Sequence, residues 1–454
     1  MKRKEDVIFS NNMDERIENR DFCGRAMVEP DQDVALEDTD RIHGRTALVN
    51  NVRAATSLAG AIRSTLGPKG LDKMLVDEDG SALVTNDGVT VLETANVEHP
   101  TARLLIGASS SQDREARDGT TTTILLVAEM LQNSLELVRM GIHPSIIANG
   151  YGIALEECLL EAGRISKEAD EGQKKQVVFT SLQGKGDSSL CNLISSLAIE
   201  AASEIPLDDF GDEAERMRIK RLPVSQGNVM DTTLEKGLML PKSRVDVSSP
   251  PVSEGGKVAI IDGGLDQEKL EINAYIEVEN PGVLQNFHKR SIEKIRGQVN
   301  HLSSIGVELL VVRDGIAEEA IPYLTESGIT AYRRFEKKDL DLLSKITRAK
   351  PVRDPLKLKE DGLGEFTKRS EERIGEVKHT LIEGEGLGMT LVARGSSSVI
   401  REEAIRIFND AIGVAHRLNG KSKILPGGGA IQAHLAGHLR SFSQIHKGRA
   451  QLAI

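Results

Sequence analysis

Residues 117–123 read RDGTTTT and open an apolar stretch, ILLVAEMLQNSLELV (124–138), that has the period of a helix. Four threonines in a first helical turn cost about 2 kcal/mol against alanine, so their presence calls for a chemical reason. Asp118 and Gly119, followed by Thr120, Thr121, Thr122 and Thr123, bring together a carboxylate, a flexible glycine, hydroxyls and free backbone N–H groups. They do so at the positive end of a helix, where such donors suit a phosphate. An aspartate N-cap accounts for Asp-Gly and one threonine; it does not account for four.

The surrounding sequence reads as mostly helical on either side of an α/β middle. ALVNNVRAATSLAGAIRSTL (47–66) forms a helix that Gly67 and Pro68 stop. In KMLVDEDGSALVTNDG, Asp79-Gly80 between two short apolar runs signals a hairpin. Two helices then reach about residue 166, the first striped by Ile124, Val127, Leu131, Leu135 and Val138. Between 236 and 378 the strand-like runs KVAIID, ELLVVRD and GITAYRRF alternate with helical segments, which marks an α/β unit. One of those helices opens at Pro281 and carries Leu284, Phe287, Ile295, Val299 and Leu302, a stripe that suits a core more often than a binding face. A last helical part runs through SVIREEAIRIFNDAIGVAHRL to PGGGA (426–430).

Composition narrows the function. With 454 residues the chain has room for about three domains. A net charge of -11 argues against nucleic acid as the main partner. Cys23, Cys158 and Cys191 lie far apart with no CxxC pair, which fits a reducing compartment and neither a disulfide framework nor a zinc motif. The charged N-terminus lacks a signal peptide's apolar core, and no apolar run is long enough to span a bilayer. A cytoplasmic location without membrane contact is expected. The nearest Walker A match, AHRLNGKS, has Ala415 in place of the first glycine, so a P-loop enzyme is not expected. His434 and His438 have a zinc-compatible spacing but no HExxH and no evident further ligands.

TNDGVT (85–90) alone reads as a turn, and the glycines 427–429 as a flexible connection. The ordered set TLGPKGLDKMLVD, TNDGVTVLE, EHP, QDREARDGTTTT, GIHPSIIANGY, TSLQGKG, FNDAI and PGGGA says more. It resembles the group II chaperonins, the family of the archaeal thermosome and the eukaryotic cytosolic chaperonin, over roughly residues 43 to 440. The resemblance implies a multidomain α and α/β fold. A polar extension (1–40) precedes an equatorial ATPase domain built from 41–166 and 420–454. An intermediate hinge domain comes from 167–235 and 379–419, and an α/β apical domain spans 236–378. Residues 263–295 are similar to the family's apical strand and helical protrusion, a built-in lid.

The same resemblance implies ATP and Mg²⁺ as cofactors. It also implies unfolded proteins as clients and a double ring of like or mixed subunits as the assembly. By it, Asp118 binds Mg²⁺ while Gly119, Thr120, Thr121 and Thr122 hold phosphate oxygens. Leu66, Gly67 and Pro68 line the nucleotide, joined by Gly88 and, from the far end of the chain, Gly428. Asp87 and Asp410 are the carboxylates around the attacking water, and Lys185 senses the γ-phosphate. Aspartates gathered this closely repel by about 1 to 4 kcal/mol per pair, so a cation is needed among them. Because Asp410 is remote in sequence from Asp87 and Asp118, hydrolysis would depend on a domain movement.

Three departures qualify the expectation. Arg117 stands where the family usually has glycine. Gln432 and His434 replace acidic positions after PGGGA. The sequence stops before the family's remaining equatorial helices and terminal strand, so a shortened equatorial segment is expected. A non-hydrolysing, structural or client-binding subunit is the alternative function.

Overall fold

The computed structural model describes residues 44–454 apart from 77–79, 81, 95–96, 207–217, 266–280 and 420–421, without the side chains of 82–83 and 281–288. The chain divides into two units, Met1–Leu48 and Val49–Ile454. The N-terminal extension and much of the expected protrusion lie outside the described residues.

Helix α1 (Gly44–Ile62) runs into one short 3-10 turn and ends at Gly67, whose φ of +86° breaks the helical path. Strands β1 (Lys73–Val76) and β2 (Ala82–Thr85) pair antiparallel with Lys73 opposite Thr85, giving the expected hairpin. Helices α2 (Gly88–Thr94), α3 (Pro100–Ala116), α4 (Thr120–Arg139) and α5 (Pro144–Ile165) follow. The hydrophobic period had indicated α4 and α5, not α2 and α3. Both α3 and α5 begin with a His-Pro pair. The histidine ring accepts from the backbone N–H two residues on, and the proline fills the first helical position, where its missing N–H is harmless. Ala55, Ala59 and Ile62 of α1 pack with Leu92, Leu105 and Ile124 into one core. Of the α4 stripe only Ile124 is fully buried; Val127 and Leu131 pack partly against that core.

After β3 (Lys167–Glu168) come α6 (Glu171–Leu182) and α7 (Ser188–Glu204). Strands β4 (Ile219–Val224), β5 (Thr233–Lys236), β6 (Leu238–Leu240), β7 (Val252–Ser253) and β8 (Gly256–Ile261) lead to α8 (Pro281–Ser304). The chain continues through β9 (Leu309–Val312), α9 (Ala320–Glu326), β10 (Thr330–Tyr332), α10 (Lys337–Thr347) and β11 (Gly364–Phe366). Strands β12 (Lys368–Ile374), β13 (Val377–Glu383) and β14 (Met389–Arg394) then precede α11 (Ser398–Arg417), β15 (Lys423–Ile424) and α12 (Ala430–Ser443).

The α/β unit is a sheet of order β10-β9-β8-β11, parallel across its first three strands and closed by antiparallel β11. Both faces are covered, which is why its strands are continuous apolar runs. Val258, Ile260, Leu309 and Val311 pack toward α10, while Ala259, Ile261, Leu310 and Val312 pack toward α8. Ile295, Val299 and Leu302 of α8 are buried in that second core, so this part of the stripe is structural. The Leu284 and Phe287 side chains fall outside the described residues.

A second sheet, β6-β13-β12-β7, contains the charged strands KRSEERI and VKHTLIE in register from Lys368–Glu383 to Ile374–Val377. Beneath it Glu371 pairs with Arg244, both side chains under a tenth exposed, and accepts from the Tyr332 hydroxyl at 3.1 Å. A third sheet places β14 between parallel β4 and antiparallel β5, with Pro223 in edge strand β4 where no ladder donor is lost. Finally, Leu182 of α6 and Ile194 and Ala198 of α7 pack against Ile407, Phe408 and Ala411 of α11. This core joins segments about two hundred residues apart, and it decides where Asp410 sits.

Candidate functional site

Helix α4 starts at Thr120 from Gly119, which has φ +79° and supplies no side-chain cap. By contrast, Asp170 and Asp187 cap α6 and α7 with their carboxylates. Among the described residues the first amides of α4 therefore have no side-chain acceptor, the condition under which a helix N-terminus attracts an anion.

Three other glycine-bearing loops are drawn to this point. Gly88 begins α2 directly against Thr121, so that a Cβ there would collide with the Thr121 Oγ1. Asn86 Nδ2 donates to the Gly184 carbonyl at 2.6 Å, tying TNDG to QGKG. Gly184, at φ +90°, lies on the GPKG turn, where a Cβ would stand 3.3 Å from the Gly67 oxygen and 3.4 Å from Pro68 Cα. Leu66 is about half exposed beside that turn. Close backbone approach is what the glycines provide.

Charged groups converge on the same place. Lys185 Nζ donates to Asp410 Oδ2 at 2.9 Å, and both side chains are less than a fifth exposed. Arg406, one helical turn before Asp410, stands 3.7 Å from the same oxygen. Burial pushes the Asp410 carboxyl above the usual carboxylate range, with Lys185 and Arg406 opposing the shift. Burial pulls Lys185 down, but Asp410 first, then Asp118 and Asp87, more than offset it and leave the ammonium more firmly protonated than usual. Asp87 caps α2: its Oδ2 accepts from Thr90 N at 3.0 Å and from the Thr90 hydroxyl at 2.6 Å. Asp113 is also raised, by burial first and then by Asp410 and Asp87, against the lowering pull of Arg117.

Most of the residues singled out from sequence are thus brought together: Gly67, Pro68, Asp87, Gly88, Asp118, Gly119, Thr121, Lys185 and Asp410. Asp118 is exposed at the mouth of the loop, and its carbonyl accepts from Gln112 Nε2 at 3.0 Å. Thr120 is buried and Thr122 half-buried, so the threonines are not equivalent. Thr123 turns its hydroxyl back onto the Gly119 carbonyl at 3.0 Å. Gly428 is exposed in a turn at φ +66°, and among the described residues nothing lies within 4 Å of where its Cβ would stand. Lys185 is engaged by Asp410, so a phosphate would have to share it.

Sequence reading missed Asp113 and Arg406. The Arg406–Asp410 spacing of four was a usable signal; Asp113 had none beyond its place before the loop. The two histidines face α5: His434 Nε2 meets Glu161 at 2.9 Å and His438 Nε2 meets Glu157 at 2.7 Å, joining α12 to α5. Among the described residues no cluster of three or more His, Cys, Asp or Glu is arranged to hold a metal ion from the protein alone. Among them, too, no helix is long and apolar enough to cross a membrane.

An uncapped helix start, glycines at the loop contacts and several acidic groups beside a lysine make an arrangement whose chemistry would suit a polyanion together with a cation. The model of the TCP-1/cpn60 chaperonin family matches residues 58–454. Thermosome subunit alpha of Thermoplasma acidophilum is 34% identical over 425 residues, 93% of this chain and 78% of that protein. Thermosome subunit beta of Methanothermobacter thermautotrophicus is 35% identical over 424 residues, with the same coverage. A thermosome subunit of Methanocaldococcus jannaschii is 34% identical over 426 residues, again 93% and 78%. With its loops in this order and its relatives matched over nearly its whole length, the chain belongs to the TCP-1/cpn60 chaperonin family and is a group II chaperonin.

Proposed function

We propose that this chaperonin subunit is an ATPase that couples hydrolysis to the folding of bound clients in the cytoplasm. The observation that carries the reading is the Lys185–Asp410 pair at 2.9 Å. It places a residue of α11 at loops that also hold Asp87 and the start of α4.

In this reading 41–166 and 420–454 form the nucleotide-binding equatorial domain. Segments 167–235 and 379–419 form the hinge, and 236–378 binds clients. The shared core of α6, α7 and α11 supports treating the two hinge segments as one body. The uncapped amides of α4, with the Thr121 and Thr122 hydroxyls, would take phosphate oxygens. Asp118 would hold magnesium, which supplies countercharge for the phosphates when bound. Asp87 is fixed by Thr90 and can orient a water without reorganising. Asp410, buried and raised, is suited to receive a proton from that water. Lys185 would exchange part of its bond with Asp410 for the terminal phosphate, making hydrolysis sensitive to the position of α11. The proposed assembly is a double ring of like or mixed subunits around a folding chamber.

The second reading is a subunit that binds without hydrolysing, favoured by Arg117, which stands beside Asp118 where the family usually has glycine. Phosphate release at saturating MgATP, with Asp410→Ala as control, separates the two. The ATPase reading expects the variant to lose about a hundredfold or more; equal and slow release by both would refute it. Isothermal titration with MgATP tests the site itself, and absence of heat would refute nucleotide binding. Electron microscopy of the purified protein tests the ring.

A further inference from the structure

Arg117 ends α3 with φ +56°, in the left-handed region that strains an L side chain and that glycine adopts freely. Its backbone N–H caps the helix by donating to the Asp113 carbonyl at 2.8 Å, which glycine would do equally well. The side chain has a different task. A Cβ on Gly413 of α11 would lie 2.7 Å from Arg117 Cβ and nearer still to its Cγ, so the arginine stem rests directly on the α11 backbone. Gly413 is buried, and the arginine side chain is 16% exposed. The Arg117 Nη1 stands 3.8 Å from the Asp113 carboxylate, holding the stem from its far end. Asp410 lies three residues before Gly413, on the same side of α11.

We propose that Arg117 is a positioning residue whose stem, seated on Gly413, fastens α11 to the loop before α4 and so holds Asp410 beside Lys185. Arginine and glycine form a matched pair, a long stem on one element and no side chain on the other. A glycine at 117 would leave α11 to find its place by hinge motion alone. The consequence for turnover rests on the ATPase reading; the fastening does not.

The test uses Arg117→Gly, Gly413→Ala, their combination and Arg117→Lys in the full chain. MgATP turnover is expected to lose about ten- to a hundredfold in kcat in each single glycine or alanine variant, with KM unchanged, because Asp410 is misplaced while the phosphate loop is intact. Arg117→Lys keeps the aliphatic stem and is expected to retain most of the turnover. The combined variant is expected to be no slower than Arg117→Gly, since the stem that alanine would strike is gone. Hydrogen exchange without nucleotide should quicken over residues 398–417 in Arg117→Gly and in Gly413→Ala. An unchanged kcat, a raised KM in its place, a combined variant slower than either parent, or unchanged exchange would overturn the proposal. If the wild-type chain neither binds nor hydrolyses MgATP, the ATPase reading fails, and exchange over 398–417 alone decides the fastening.

Discussion

Replacing Lys185 by methionine keeps the stem of the side chain and removes its charge. At 2.9 Å, in a medium of effective dielectric about 20, the Lys185–Asp410 attraction is about 6 kcal/mol before solvation is counted. Desolvation offsets much of it, and Arg406 at 3.7 Å remains as a partner, so we expect a net loss of about 2 to 3 kcal/mol. The loss should depend on pH. The Asp410 carboxyl is raised in the folded protein, so its contribution to stability is present below its unfolded value and lost as pH rises through the folded one. Lys185 opposes that rise, and without it the carboxyl moves higher still. Lys185 is itself raised, so its contribution is present below its unfolded value and lost as pH rises through the folded one. Urea unfolding followed by circular dichroism should therefore show the full loss at pH 8 and a smaller one near pH 5. Combining Lys185→Met with Asp410→Asn should recover most of the stability, because no buried charge is then left unpaired. A single variant within about 0.5 kcal/mol of wild type at pH 8 would refute the reasoning, as would a loss independent of pH.

Gly88→Ala should weaken MgATP binding in titration calorimetry and reduce urea stability by about 1 to 3 kcal/mol, since its Cβ would collide with Thr121. Glu371→Ala should lose about 3 to 5 kcal/mol in the same unfolding assay, leaving Arg244 buried without its carboxylate, whereas Glu371→Gln should lose less. The hydrogen bond from His434 is the main cause of a lowered Glu161 carboxyl, so its contribution is present above the unfolded value and lost as pH falls through the folded one. His434→Ala should accordingly lower the melting temperature near neutral pH and make little difference in acid. Zinc should leave the melting temperature of the wild-type chain unchanged, because each histidine is engaged by a glutamate of α5.

Local chemistry determined much of this protein. Gly67-Pro68 ended α1, Asp79-Gly80 announced the β1–β2 hairpin, and the apolar runs around Val258 and Leu310 were strands because a parallel sheet covered on both faces needs no polar alternation. The four threonines pointed to a phosphate loop because helix propensity alone argues against them. Short or charged elements were not legible: α2 and α3 lack a long apolar stripe, and β12 and β13 carry charges that tertiary partners such as Arg244 satisfy.

Which residues meet was decided only by the fold. Asp410 lies 225 residues from Lys185, and no local spacing predicts their bond; it follows from the packing of α6, α7 and α11 into one core. The same holds for Arg117, an arginine in a conformation suited to glycine, whose place is understandable only beside the bare backbone of Gly413. Periodicity and turn chemistry act over a few residues, so the sequence can announce them locally. Burial and ion pairing act between surfaces that folding alone brings together.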